Sequence, residues 1–183
     1  MCSFLYGNVP GCPSYIALSY TWGDAGVQRN LRIESCGNLS IRHNLHVYLH
    51  MRSLAIKQAT YLWIDAICID QSNVHERNHQ VNLMKEIYTA ASAVDIWLGL
   101  EADDSDLAIL YINSRAKSSP TDAGSGRPKV WSSRVGRAVS ELCERPYWRR
   151  MWIIQEVGHA DESSSGVVRS TSHGRPSKPS IRG

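Results

Sequence analysis

Two carboxylates interrupt an otherwise apolar run, Tyr61-Leu62-Trp63-Ile64-Asp65-Ala66-Ile67-Cys68-Ile69-Asp70-Gln71, and acids in that setting are the first candidates for chemistry. A β-branched and aromatic run that is apolar on both alternate faces reads as a central strand covered by helices on each side, as in parallel sheets. Asp65 and Asp70 are an odd number of positions apart, so an unbroken strand would aim them at opposite faces, and a strand end is expected between them. Carboxylates at the C-terminal ends of parallel strands sit where such sheets take ligands. The plainer role is helix capping or a hydrogen-bond network around a tight turn, with Gln71 and Asn73 joining it. Ser19, Trp22 and Asp24 stand in a similar position, at the end of a short apolar strand, Tyr15 to Tyr20, and in the Thr21-Trp22-Gly23-Asp24 loop that closes it.

Other chemistry-bearing patterns are weaker. His75-Glu76-Arg77-Asn78-His79 matches His-Glu-x-x-His, which on a helix sets two imidazoles on one face with the glutamate as base of a zinc hydrolase. Gln71-Ser72-Asn73 just before it reads as a helix start, and no third ligand follows, so zinc chemistry is a minor alternative and no metal is expected. His43, His46 and His50 recur along one partly exposed helical face. Cys68 lies in strand context with no base or helix start to lower its pKa, and an inert buried thiol is expected. Gly23-Asp24-Ala25-Gly26 lacks the spacing of either a dinucleotide or a Walker phosphate loop.

The chain as a whole bounds the answer. At 183 residues, with 43% hydrophobic and 20% charged residues, it is globular and long enough for one core of roughly 100 to 150 residues plus a tail. A net charge of +3 is too weak to argue for nucleic acid, and the segment from Asp161 onward, with Arg169, Arg175, Lys178 and Arg182 against Asp161 and Glu162, carries +2 of it. The opening residues lack a basic start and a long apolar core, and no window is long enough to span a membrane. The five cysteines are odd in number, widely spaced and free of Cys-x-x-Cys. A soluble, cytoplasmic protein with free thiols is expected.

The elements that must position these residues follow in order. Residues 1–14 form an irregular lead-in. Tyr15 to Tyr20 is a strand, and Leu31 to Ile33 and Leu39 to Ile41 flank Cys36-Gly37-Asn38 as a small hairpin. Asn44 caps a helix to about Ile56, the central strand follows, and a helix runs from Gln71-Ser72-Asn73 to about Ala91. Ala93 to Gly99 is a third strand, so the alternation implies right-handed crossovers and a parallel sheet. Helices are expected over Leu107 to Ser114 and Val130 to Cys143, on either side of a polar loop. Pro146 then starts a last helix, with Trp148, Trp152 and Glu156 on one face at i, i+4 and i+8. From residue 161 to 183 the Ser/Gly/Arg/Pro-rich tail is expected to be disordered.

Residues 15–160 resemble the heterokaryon incompatibility (HET) domain of filamentous fungi. The blocks are Ala17 to Asp24, Asn44-Leu45, Leu62 to Gln71, Glu76-Arg77 with Gln80-Val81, Met84, Ile87-Tyr88, Trp97-Leu98-Gly99, and Arg145 to Arg149 through Trp152 to Val157. That resemblance implies a role in fungal non-self recognition and regulated cell death. The partners expected are further copies of the domain, through homotypic self-association, and other incompatibility or NLR-type signalling proteins. A narrower resemblance is to the Toll/interleukin-1 receptor (TIR) domain, and it implies an α/β fold, a flavodoxin-like, TIR-like parallel sheet flanked by helices. Such a sheet continues with further strands after the last helix, whereas this chain enters its tail, so a sheet truncated at the C-terminus is expected.

TIR enzymes that cleave NAD carry a glutamate four residues after a tryptophan, and Trp152 and Glu156 have that spacing. The resemblance therefore implies Glu156 as the catalytic residue and NAD as substrate, with no cofactor. A carboxylate near the ribose can stabilise the oxocarbenium character that develops as the nicotinamide bond breaks. Trp152 offers a stacking face, while Ser19, Trp22, Asp24, Asp65 and Asp70 are the substrate-binding candidates. The plainer role for Glu156 is an ion pair with Arg149 or Arg150. The competing reading is a non-enzymatic signalling or oligomerisation module in which the same acids serve the fold.

Overall fold

A computed structural model describes residues 13–33, 37–55, 60–116, 132–150 and the backbone of 169–170. The first strand, β1 (Tyr15–Tyr20), is followed by a hairpin of β2 (Gln28–Ile33) and β3 (Gly37–Arg42), then α1 (His43–Ala55), β4 (Tyr61–Trp63), α2 (Asp65–Cys68) and α3 (Val74–Ala90). Next come β5 (Ala93–Trp97), α4 (Ser105–Ala116), α5 (Ser133–Glu144) and a 3-10 helix, Pro146–Arg149. The main sheet is parallel, with β1 between β4 and β5: Tyr15 pairs with Tyr61 on one side, and Ile16 to Tyr20 pair with Ala93 to Trp97 on the other. Taken in chain order these three strands stand 2-1-3, the flavodoxin arrangement. Within the segment read as a disordered tail, β6 (Arg169–Ser170) pairs in parallel with Asp95 and Ile96 of β5; the rest of that segment lies outside the described residues.

The strand between β4 and β5 is β1, and not the Tyr61 to Gln71 run expected at the centre. Only Tyr61–Trp63 of that run forms a strand, at the end of the sheet order, and α2 begins at Asp65. Apolar runs of this length do not distinguish a buried strand from a buried helical turn. Asp65 makes the difference locally, because its Oδ1 accepts from the Ala66 N–H at 2.7 Å and its carbonyl accepts from Ile69 N, closing the turn. Ile64 and Ile69, on either side of that turn, are still buried.

Side-chain alternation along the strands divides the core in two. Ala17, Val94 and Ile96 face α3, against Met84, Tyr88 and Ala91. Leu18, Tyr20 and Trp97 face α1, against Leu45 and Tyr48, with Ile41 of the hairpin closing that side. Two tyrosines pin α3 to the sheet: the Tyr88 hydroxyl donates to the Leu18 carbonyl at 2.9 Å, and the Tyr15 hydroxyl to the Ile87 carbonyl at 2.6 Å. Asn73 caps α3, its side chain accepting from the His75 and Glu76 N–H groups. A smaller cluster, Ala108, Ala138 and Leu142 with Leu98, joins α4 and α5 to the loop after β5.

Two helical expectations are corrected. Asn44 does not cap α1; His43 is already helical, and the Asn44 side chain reaches across the fold instead. The helix from Pro146 ends at Arg149, and Arg150 is extended (φ −77°, ψ 132°), so Trp148 does not continue on one helix towards Glu156. Trp152 and Glu156 themselves lie outside the described residues.

One charged pair is set inside the α1 face. Asp95 of β5 meets the Arg52 guanidinium and accepts from the Tyr48 hydroxyl at 2.9 Å; the two charged side chains are 1% and 11% exposed. Burial, then the Asp95 charge, drives the Tyr48 phenol pKa far above its usual range, so it remains a donor. Removing one partner of such a pair leaves an uncompensated buried charge. Arg52→Met is therefore expected to lower unfolding free energy by about 3–5 kcal/mol, whereas Arg52→Met combined with Asp95→Leu recovers much of that loss. Urea denaturation of the two variants checks the difference.

Candidate functional site

In a sheet of this order, ligands bind beyond the C-terminal ends of the strands, where the strand order reverses on either side of β1. At that place β1 runs into Thr21-Trp22-Gly23-Asp24, and three neighbouring elements grip the loop. From α1, the Asn44 amide donates to the Thr21 carbonyl and accepts from the indole N–H of Trp97, the last residue of β5, at 2.9 Å. From the end of β3, Arg42 donates to the Gly23 carbonyl at 2.9 Å and lays its guanidinium over the Trp22 ring, 4.9 Å from the centroid. From the start of α2, Asp65 Oδ2 accepts the Trp22 indole N–H at 2.8 Å. Gly23 is needed here: its φ is +74°, and a Cβ would come within 3.3 Å of Asn44 Cβ.

Asp65 is the busiest acid of the site. Besides the Trp22 indole and its own turn, it hydrogen-bonds the Tyr20 phenol, and the Gln71 side chain donates to its backbone carbonyl at 2.9 Å. Burial first, and the Asp65 charge second, push the Tyr20 pKa far above its usual range, partly offset by Arg150 and Arg42. Tyr20 is thus fixed as a proton donor to Asp65.

Ser19 points to the other side of β1. It is 1% exposed, and its Oγ lies 2.6 Å from the hydroxyl of Tyr147 in the 3-10 helix, itself 1% exposed. Arg150 approaches the same Ser19 oxygen at 3.4 Å while its guanidinium stands 5.7 Å from the Tyr147 ring centroid. Arg145, just before, donates to the Leu98 and Ala102 carbonyls and so ties the loop after β5 to this corner.

The structure thus gathers Ser19, Trp22 and Asp65 around the end of β1. Asp24 is exposed and holds its own turn, accepting from the Gly26 N–H at 2.8 Å. Asp70 lies on the exposed turn between α2 and α3, where its Oδ1 accepts from both the backbone and the hydroxyl of Ser72. His75 and His79 are exposed, and the Glu76 carboxylate accepts from the Asp70 N–H at 3.1 Å. Among the described residues no group of three or more His, Cys, Asp or Glu side chains is placed to hold a metal. Cys68 accepts weakly from the Ile64 N–H, 3.5 Å away.

Asn44, Arg42, Tyr147 and Arg150 were not singled out as site residues from sequence. Their partners lie 19 to 131 positions away, and only the family blocks holding Asn44 and Tyr147 pointed towards two of them. A doubly wound α/β domain with a hydrogen-bonded polar crevice at the end of its middle strand is what these features define. The model of the heterokaryon incompatibility protein (HET) family matches residues 15–156, and the chain belongs to that family. It is also 32% identical over 145 residues to heterokaryon incompatibility protein 6, OR allele, of Neurospora crassa, an alignment covering 73% of this chain and 21% of that protein. The chain therefore spans about a fifth of the length of the curated relative it matches. No solved structure matches. No helix among the described residues is long and apolar enough to cross a membrane.

Two outcomes follow from this geometry. Asn44→Ala strands a buried indole N–H and is expected to cost about 1–3 kcal/mol in a denaturant titration, with the Trp97 indole resonance losing its hydrogen-bonded shift. Asp70, held below its ordinary pKa of 3.8 by the Ser72 hydroxyl and N–H, favours the folded state above that value and loses the effect as pH falls through its lowered folded pKa. The denaturation midpoints of wild type and Asp70→Ala should therefore differ at neutral pH and converge in acid.

Proposed function

We propose that this domain acts in fungal heterokaryon incompatibility, and that it does so by cleaving NAD at the nicotinamide–ribose bond, with Glu156 beside the ribose, leading to regulated cell death. Family membership and the likeness to heterokaryon incompatibility protein 6 of Neurospora crassa support the first part. The observation that carries the second is the docking of Tyr147 and Arg150 on Ser19, at the strand end where a doubly wound sheet takes its ligands. Glu156 follows Arg150 by six residues, a length of chain that spans at most about 20 Å. That reach includes the crevice.

In this reaction the C1′–N bond of NAD breaks and its electron pair passes to the nicotinamide nitrogen, neutralising the pyridinium. Positive charge develops on the ribose, and a nearby carboxylate lowers the energy of that transition state. Water then adds to C1′ and releases a proton, giving ADP-ribose and free nicotinamide. Trp152, Ser19, Trp22, Asp24, Asp65 and Asp70 are the residues proposed to line or support the substrate.

A second reading, a non-enzymatic signalling module that self-associates or binds other incompatibility proteins, also has an observation in its favour. Ser19 Oγ, both carboxylate oxygens of Asp65 and Oδ1 of Asp70 are engaged in hydrogen bonds that hold the fold. Incubating purified protein with NAD and following nicotinamide release separates the two. Release that drops about 100-fold or more in Glu156→Ala and Glu156→Gln is the expected result. Equal release by wild type and both variants would remove Glu156 from the mechanism, and no release from wild type at concentrations where it self-associates would favour the module.

A further inference from the structure

The loop from β5 to α4 has an unusual backbone. Gly99 has a φ of +101°, and Asp103 and Asp104 follow at +54° and +56°. Among the described residues these two aspartates are the ones other than glycine with a positive φ. The left-handed region crowds Cβ against the following carbonyl oxygen, and residues that visit it do so singly. Aspartate tolerates it better than most side chains, yet two in succession persist only where the surroundings hold them.

The holding comes from α5 and the residue after it. At the start of α5, Arg134 lays its fork on Asp104, Nε donating to one carboxylate oxygen at 2.9 Å and Nη2 to the other at 2.7 Å. At the far end, Arg145 donates to the Leu98 carbonyl at 2.9 Å and to the Ala102 carbonyl at 3.1 Å, joining the two limbs of the loop. Buried Ser105 anchors the exit, its N–H donating to the Ala102 carbonyl at 2.9 Å and its Oγ accepting from the Ala102 N–H at 3.3 Å. The Arg134–Asp104 pair is the accessible part, its side chains 69% and 41% exposed. The same stretch reaches the crevice. Two residues beyond Arg145, Tyr147 sets its hydroxyl on Ser19, and the Trp148 indole ties the 3-10 helix back to α5 by donating to the Leu142 carbonyl at 2.8 Å. A shift at the end of α5 therefore moves the residue that grips the loop and the residue that closes the crevice together.

We propose that residues 98–104 are a strained strap, latched by Arg134 and Arg145, and that unlatching it loosens the Tyr147 dock on Ser19. In the unlatched arrangement Asp103 and Asp104 relax to negative φ and Arg145 leaves the Leu98 and Ala102 carbonyls. An exposed ion pair holds weakly and is screened by salt, so the balance responds to ionic strength. The device does not depend on what the crevice binds, and it stands or falls apart from the NAD reading.

Strain is tested at Asp103, which is exposed and takes no part in the Arg134 clamp. Asp103→Gly is expected to raise the thermal midpoint by about 2–4 °C and Asp103→Ala to lower it. At a negative φ the order reverses, so an alanine variant at least as stable as the glycine variant overturns the strained strap. The link to the crevice is tested by hydrogen exchange in the full chain, at the Ser105 and Ala108 amides of α4 and the Trp148 and Arg150 amides bonded within and after the 3-10 helix. Arg134→Gln is expected to speed exchange about two- to fivefold at both sets, and high salt to do the same in wild type but not in the variant. The salt arm needs no substitution. Acceleration confined to α4, or absent from both sets, overturns the latch.

Discussion

A buried parallel strand has to stop somewhere, and where it stops its carbonyls lose the ladder that satisfied them. The Asn44 carboxamide meets that demand at the end of β1, donating to Thr21 and accepting from the Trp97 indole of the neighbouring strand. An aspartate offers no donor and a leucine offers neither group, so the amide suits both ends of the bridge at once. The consequences spread outward. With Thr21 held, Gly23 turns through a positive φ close against α1, Arg42 caps its carbonyl, and Trp22 is delivered to Asp65. A backbone problem in one strand is solved by side chains from α1, β3 and α2, and their convergence makes the crevice.

The polar residues of this corner serve structure before anything else. Tyr20 and Trp22 both donate to Asp65, the Tyr147 and Ser19 hydroxyls hydrogen-bond to each other inside the core, and Tyr48 with Arg52 engages Asp95. Buried polar groups are costly unless partnered, and each of these pairs joins elements distant in sequence. The sheet is therefore specified from both sides: hydrophobic contacts choose which faces meet, and hydrogen bonds choose how far along they meet.

Much of the fold was legible in the residues. Short apolar runs punctuated by Gly, Pro and Asn located β1 and β5, Asn73 marked the start of α3, and the hairpin fell around Gly37, whose φ of +81° needs a glycine. The parallel alternation was legible too, because helices separate the strands. Strand order was not, since nothing local in Tyr15 to Tyr20 distinguishes a middle strand from an outer one. The Tyr61 to Gln71 run misled because its period fits a buried strand and a buried turn alike: the turn is closed by bonds of Asp65 to Ala66 and Ile69 that hydropathy does not show, and the other partner of its carboxylate, Trp22, is 43 positions away. The site was legible in part for the same reason: Ser19, Trp22 and Asp65 announced themselves by type and setting, whereas Arg42 drew no reading and Arg150 was read only as an ion-pair partner of Glu156, their contacts with Trp22 and Tyr147 being made by the fold.

The Ser19 and Tyr147 hydroxyls meet across 128 positions of chain, and that separation sets an order of events during synthesis. At roughly 5–20 residues per second, about 6 to 26 seconds pass between the ribosome adding the serine and adding the tyrosine that covers it. Throughout that interval β1 can pair with β4 and then β5 and take α1 and α3 onto its faces, yet the polar end facing Tyr147 stays open to water. The corner around Ser19 therefore closes only after β1, β4 and β5 can be in place, and β6 joins the sheet later still.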